Sequence, residues 1–119
     1  MIIAIDFDGT ICKDDYPDCG ELMVGVKEVL DLFKEENNYL ILHTCRQGEL
    51  LLDAINFCLE HKLPIDRVNS GNPRNVRKYG GEGRKIYADM YIDDKNFGGF
   101  PGWEAIRLKY LEEYGLYSP

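Results

Sequence analysis

The sequence lacks several features that would place it in familiar classes. No apolar run approaches the roughly 20 residues needed to span a bilayer, and the N-terminus shows no signal-peptide pattern. The four cysteines include no Cys-x-x-Cys pair, and the two histidines are not spaced for zinc. We therefore expect a cytoplasmic protein with reduced thiols and no contact with membranes.

Basic charge is also scarce. The chain has 14 Lys and Arg against 21 Asp and Glu, which gives a net charge of −7. A general nucleic-acid binder would need a basic surface, so this charge argues against that class. The length of 119 residues and the 45% content of hydrophobic residues predict one domain, residues 1–119, with a real core.

The most informative stretch is a short apolar run that ends in two acidic residues. Residues 2–5 are four apolar residues, three of them branched, which is typical of a fully buried strand. Asp6 and Asp8 follow at once, and buried carboxylates are costly unless a cation neutralises them. Mg²⁺ is the simplest candidate, because it prefers oxygen ligands. Gly9 then allows a sharp turn.

The remaining chain alternates strand and helix patterns. Apolar residues with helical spacing predict helices that begin near residues 25, 51 and 103, and Asn72-Pro73 can cap and start a short one. Further strands are predicted at residues 39–44, 66–69 and 87–93, whereas residues 11–24 have a loop or flap composition. These patterns predict a three-layer, Rossmann-like α/β domain with a short parallel sheet of strand order 3-2-1-4.

Several polar residues follow the predicted strands directly. In parallel sheets, ligands bind outside the carboxyl ends of the strands, near the point where the strand order reverses. We therefore expect five side chains to converge at one edge of the sheet: Asp6, Asp8, Thr44, Asp93 and Asp94.

The string Asp6-Phe7-Asp8-Gly9-Thr10 resembles the DxDGT signature of the haloacid dehalogenase-like (HAD) phosphohydrolases. Thr44, a lysine and the later acidic pair match the other motifs of that superfamily in order and type. No room remains for a cap domain, so the resemblance implies a minimal, capless member. It also implies a phosphatase that works through an aspartyl-phosphate on Asp6, with Asp8 as general acid and base.

The resemblance assigns the remaining roles residue by residue. Mg²⁺ would be held by Asp6, the main-chain carbonyl of Asp8, and Asp93, with Asp94 acting directly or through water. Thr44 would donate its hydroxyl to a phosphoryl oxygen, and Lys85 would neutralise charge on the transferring group.

Other substrate contacts are less determined by the sequence. Backbone amides around Gly9 can form an anion-binding nest, and Arg46 lies just past Thr44 at the mouth of the expected site. Lys78 and Arg84 lie in the same basic segment as Lys85, residues 74–85, so the choice of the phosphate-stabilising cation stays open.

Two alternatives and the substrate also stay open. A phosphoacceptor signalling domain, or a metal-binding module of similar fold, would use comparable residues without turnover. Receiver domains, however, place their acidic pair first and their Thr and Lys late. An uncapped site suits a phosphate on a small molecule or an exposed phosphate on a macromolecule, and a homo-oligomer would provide a cover for the cleft.

Overall fold

A computed structural model describes residues 1–80 and 85–115 of the chain. Six strands and four helices lie within these described residues. In chain order they are β1 (Ile2–Ile5), β2 (Cys12–Asp15), β3 (Asp18–Leu22), α1 (Val26–Glu35), β4 (Tyr39–Leu42), α2 (Gly48–Glu60), β5 (Arg67–Val68), α3 (Pro73–Lys78), β6 (Met90–Ile92) and α4 (Trp103–Tyr114). None of these helices is long and apolar enough to cross a membrane.

Four of the strands form one parallel sheet in the order β5-β4-β1-β6. The first strand therefore lies between two neighbours, with Ile3 opposite Leu40 on one side and Met90 on the other. Ile3 and Leu40 are fully buried, as expected for a sheet covered on both faces. This position of β1 brings the ends of three strands to the centre of one sheet edge.

The observed order differs in its numbering from the predicted 3-2-1-4, because β2 and β3 intervene between the first and second strands of this sheet. They form a separate antiparallel hairpin, with Asp15 opposite Asp18, where the sequence predicted only a loop or flap. Most hairpin side chains are exposed or half-buried, so no alternation of apolar residues marked these strands.

The helix predicted from apolar spacing in residues 25–38 is confirmed as α1. Its buried side chains are Val26, Val29, Leu30 and Phe33. Asn37 takes the left-handed conformation, φ 64°, immediately after the helix, as its position predicted.

Helix α4 attaches the C-terminal part of the chain to the sheet. Trp103 is buried and donates its indole N–H to the carbonyl of Thr10 at 2.8 Å, in the loop that follows β1. Tyr110 packs edge-on against Phe33 of α1, with ring centroids 4.9 Å apart. Tyr114, which was predicted to share this face, is about half exposed.

The segment between β5 and β6 contains the predicted short helix. The Asn72 side chain accepts hydrogen bonds from the N–H groups of Arg74 and Asn75, and Pro73 is the first helical residue of α3. Gly80 follows the helix with φ 80°, whereas Gly81, the second glycine of the predicted end, lies outside the described residues.

Strand β6 is shorter than the predicted 87–93. The Tyr91 hydroxyl donates to the Ile86 carbonyl at 2.5 Å and accepts from the Ala88 N–H at 3.0 Å. The Asp89 carboxylate accepts the Ile2 N–H at 2.7 Å. Before Met90, these side-chain hydrogen bonds accompany a backbone hydrogen bond to β1, from the Asp89 N–H to the Ile2 carbonyl at 2.8 Å.

Candidate active site

Three carboxylates meet at the carboxyl ends of β1 and β6. Asp6 directly follows β1, and its N–H donates to the carbonyl of Ile92, the last residue of β6, at 2.9 Å. Asp93 and Asp94 come next in the chain. One carboxylate oxygen from each of Asp6, Asp93 and Asp94 lies within 4.8 Å of the other two. The adjacent parallel strands β1 and β6 therefore bring together residues almost 90 positions apart.

The environment of Asp6 disfavours its ionised form. The pKa of Asp6 is raised from 3.8 to about 7, mainly because burial removes water from the carboxylate. The backbone N–H of Phe7 opposes this rise, whereas the nearby charges of Asp93 and Asp94 add to it. Asp6 therefore keeps its proton to a higher pH than an aspartate in water does.

The residues of this cluster fit a divalent cation. The Oδ1 atom of Asp94 is buried and has no hydrogen-bond partner among residues 1–80 and 85–115, which is unusual for a carboxylate oxygen in a folded protein. Three carboxylates offer the oxygen ligands that hard divalent ions prefer. Asp6, Asp93 and Asp94 could therefore hold such an ion.

Gly9 is required here by space as well as by conformation. Its φ is +79°, in the left-handed region, and a Cβ atom built on it would overlap the carboxylate of Asp94. Its N–H donates to the Cys12 carbonyl at 2.9 Å. The structure thus gives Gly9 a steric role beside Asp94, and its amide is engaged within the loop instead of facing an anion.

Thr44 follows β4 and is held by its backbone. Its N–H donates to the side-chain oxygen of Asn69 at 2.8 Å, and its Oγ1 accepts the N–H of Arg46 at 3.1 Å. With the oxygen acting as acceptor, the hydroxyl hydrogen can still donate to a ligand. Asn69, which has φ 48° directly after β5, was missed by the sequence analysis; its amide side chain after a predicted strand was the available signal.

Asp8 and Arg46 form a buried ion pair. Nε of Arg46 donates to Oδ2 of Asp8 at 2.8 Å, and Nη2 donates to Oδ1 at 2.7 Å. The Arg46 side chain is only 1% exposed, against 22% for Asp8. Hydrogen bonding to Asp8 raises the pKa of Arg46 above its ordinary value. The remaining donors of Arg46 bind main-chain carbonyls, so none is left for the substrate contact that the sequence suggested.

Lys85, the predicted cation, contacts an aromatic ring and forms no ion pair with the acidic cluster among the described residues. Lys85 is exposed, and its ammonium lies 4.4 Å from the centroid of the Tyr91 ring. Within residues 1–80 and 85–115, no carboxylate forms an ion pair with it. Lys78 lies over the Tyr79 ring at 5.4 Å, and Arg84 lies outside the described residues.

A different lysine approaches the cluster. Nζ of Lys95 is 3.8 Å from Oδ2 of Asp94, and its side chain is 82% exposed. Its position directly after the acidic pair was the available signal in the sequence. Lys95 is therefore a second candidate for the phosphate-stabilising cation.

Comparisons with known proteins assign the chain to a family. No protein-family model matches the sequence, and no curated protein matches it. A solved structure of a conserved protein from Bacteroides thetaiotaomicron is similar at 39% sequence identity and a TM-score of 0.85. The similarity covers 100% of this chain and 98% of that one. This chain belongs to the family of that conserved Bacteroides protein.

In this member of the Bacteroides protein's family, a pocket of about 220 Å³ lies between β6 and α4. Its wall includes Phe100, Ile106, Tyr110 and Tyr114, and Asp93 is the one member of the acidic cluster that lines it. The pocket therefore runs beside the carboxylates and does not enclose them.

Proposed function

We propose that this protein is a Mg²⁺-dependent phosphomonoester hydrolase of the HAD-like, Rossmann-like type, acting through an aspartyl-phosphate on Asp6. The observation that carries the proposal is the meeting of Asp6, Asp93 and Asp94 within 4.8 Å at one edge of the sheet. Within the described part of the chain, the buried Oδ1 of Asp94 has no hydrogen-bond partner, which supports a bound cation as the missing partner.

The three carboxylates, together with the main-chain carbonyl of Asp8, would hold Mg²⁺. Bound there, the ion would offset the charges of the carboxylates and of a dianionic phosphate, which otherwise repel each other. The raised pKa of Asp6 supports this assignment, because a nucleophile at that position needs a neighbouring positive charge to be ionised at neutral pH.

The chain's own residues supply the chemistry in two steps. An oxygen of Asp6 bonds to phosphorus as the bond to the leaving oxygen breaks. The leaving oxygen takes a proton from the protonated form of Asp8, which becomes a carboxylate. A water molecule then attacks phosphorus and gives a proton to Asp8. The bond between phosphorus and Asp6 breaks, which releases inorganic phosphate and restores both carboxyl groups.

Thr44 would orient the phosphoryl group through its remaining hydroxyl donor. Lys85 is the cation implied by the resemblance, and Lys95 is the one that lies near Asp94. Replacing each lysine by methionine separates them, since the one that binds the phosphoryl group should show the larger fall in kcat.

We propose an exposed phosphate as the substrate, on a small molecule or on a macromolecule, because no cap covers the cleft in this proposal. A panel of phosphorylated metabolites, nucleotides and oligonucleotides would narrow the substrate class.

We also propose a cytoplasmic location. The four cysteines are free thiols, which fits a reducing compartment: Cys12, Cys19, Cys45 and Cys58.

The decisive experiment measures release of phosphate from p-nitrophenyl phosphate with and without Mg²⁺. We expect metal-dependent turnover that Asp6→Asn abolishes. Asp31→Asn is a matched control, because Asp31 lies in an exposed ion pair with Lys27 on α1, and it should retain activity. Folded protein that shows no metal-dependent turnover with any phosphoester would contradict the proposal. Stable phosphorylation of Asp6 without release would favour the phosphoacceptor alternative.

A further inference from the structure

Arg46 connects three parts of the chain through all its N–H donors. Two donors bind the oxygens of Asp8, and two bind the carbonyls of Pro17 at 3.1 Å and Asp18 at 2.9 Å in the β2–β3 turn. The fifth binds the carbonyl of Leu50 in α2 at 3.2 Å. A guanidinium has five N–H donors, so every one is used.

The guanidinium also contacts two aromatic rings. Its central carbon is 5.1 Å from the ring centroid of Phe7, which is fully buried, and 5.2 Å from that of Tyr16, which is exposed on the hairpin. Arg46 thus lies between the core beneath Asp8 and the hairpin above it. Its planar fork matches the two carboxylate oxygens in a way that a lysine ammonium cannot.

We propose that Arg46 is a positioning residue: it aims the Asp8 carboxyl at the leaving group and ties the β2–β3 hairpin to that carboxyl. This inference rests on the proposed function, in which Asp8 gives a proton to the leaving oxygen. Each fork contact uses one lone pair of a carboxyl oxygen and leaves the other lone pair free to carry a proton, so the direction of proton transfer depends on Arg46. The hairpin carbonyls of Pro17 and Asp18 keep the guanidinium in place.

Leaving-group dependence distinguishes this role from a purely structural one. p-Nitrophenolate departs with little help from an acid, whereas an alkoxide needs the proton of Asp8. We expect Arg46→Ala to lower kcat for an alkyl phosphate such as glycerol 2-phosphate by about 100-fold, in the range of general acid catalysis. For p-nitrophenyl phosphate we expect a fall of less than about 10-fold, and KM should change little for both.

Two further measurements sharpen the test. Added guanidinium ion at low millimolar concentration should partly restore turnover of the alkyl phosphate by Arg46→Ala. Arg107→Ala is the matched control, because Arg107 forms the same two-point contact with Glu104 on the exposed side of α4, and it should behave as wild type. Adding Arg46→Ala to Asp8→Asn should cause no further loss with the alkyl phosphate.

The outcomes separate this inference from the function on which it rests. Equal losses on the two substrates, without rescue by guanidinium, would overturn the positioning role while leaving the phosphatase proposal intact. If wild-type protein released no phosphate from any substrate, the phosphatase proposal itself would fail. If Arg46→Ala does not fold, Arg46→Lys is the variant that decides the test. Its kcat should fall further for the alkyl phosphate than for p-nitrophenyl phosphate. Equal falls in kcat on the two substrates would overturn the inference.

Discussion

Gly9 affects both the backbone conformation after β1 and the space available to the Asp94 carboxylate. Its left-handed φ of +79° costs an alanine about 1–2 kcal/mol, and the added Cβ would also displace the Asp94 carboxylate. We expect Gly9→Ala to lower the free energy of unfolding by about 2–4 kcal/mol and to weaken metal binding. Urea denaturation and calorimetric titration with Mg²⁺ measure the two effects.

Gly48 supplies the control for this prediction. It too has a positive φ, +58°, but a Cβ there would meet no atom of a described residue within 4 Å. Gly48→Ala should therefore show the conformational cost alone and keep its metal affinity. Equal destabilisation by the two substitutions would mean that Gly9 matters only through its backbone and not through its closeness to Asp94.

The raised pKa of Asp6 makes stability depend on pH in a defined direction. Between pH 3.8 and about 7 the folded protein keeps a proton on Asp6 that the unfolded chain has lost. This contribution to stability is fully present below pH 3.8 and is lost as the pH rises through 7. In EDTA, Asp6→Asn should therefore be more stable than wild type at pH 8, by about 1–2 kcal/mol after allowance for solvent screening.

At pH 4 the free energies of unfolding of the same two proteins should differ little, because Asp6 is then largely protonated in the folded state. Urea denaturation at both pH values measures the change. Asp31→Asn should alter stability by less than about 0.5 kcal/mol throughout, as expected for an exposed ion pair. A stabilisation by Asp6→Asn that was the same at pH 4 and pH 8 would contradict the raised pKa.

At the scale of elements, one side chain links α4 to the end of α1. The Tyr110 hydroxyl accepts a hydrogen bond from Asn38 Nδ2 at 2.8 Å and donates to Glu36 Oε1 at 3.1 Å. Asn38 also donates to the Phe33 carbonyl, so Tyr110→Phe loses the hydroxyl contacts without stranding the amide. We expect a loss of about 1 kcal/mol, measured by thermal or urea unfolding.

Tyr114 is the comparison for Tyr110. It lies one turn further along α4 and is about half exposed, and its hydroxyl makes no hydrogen bond to another described residue. Tyr114→Phe should change stability by less than about 0.5 kcal/mol. Losses of the same size at both positions would show that the contact with Asn38 and Glu36 does not hold α4 in place.

Local sequence patterns predicted some of these elements and not others. Helix α1 was predictable because four buried residues follow the helical period. The β2–β3 hairpin was not, because its exposed strands carry no apolar alternation. Strand β5 has only two residues, and its position depends on Asp66, whose backbone and side chain both bind Leu40. That contact across 26 residues has no local signature.

At the scale of the whole molecule, the acidic cluster was predictable and the contacts of Arg46 were not. Parallel strands align their carboxyl ends, so residues that follow β1 and β6 must approach each other. The pairing of Asp8 with Arg46 depends instead on carbonyls of the hairpin, an element that the sequence did not reveal. Lys85 was predicted to be the phosphate-stabilising cation from the order of the motifs along the chain. That order carries no information about where a side chain points.

The same cluster predicts that a divalent ion stabilises the entire fold. Because the three carboxylates come together only in the native state, Mg²⁺ should bind folded protein far better than unfolded chain. At 100 times the dissociation constant, this linkage contributes about 2.7 kcal/mol. For a chain of 119 residues, that corresponds to a rise of about 10 °C in Tm, measured by calorimetry at pH 7.5.

Specific binding can be separated from general screening of the net charge of −7. NaCl at matched ionic strength should raise the Tm of wild type only slightly, and Asp93→Asn should lose most of the response to Mg²⁺. The control Asp31→Asn should keep it, because Asp31 lies outside the cluster. If NaCl and Mg²⁺ raised the Tm equally, the carboxylates would act only as part of a diffuse surface charge, and the assignment of a metal site to the ends of β1 and β6 would be wrong.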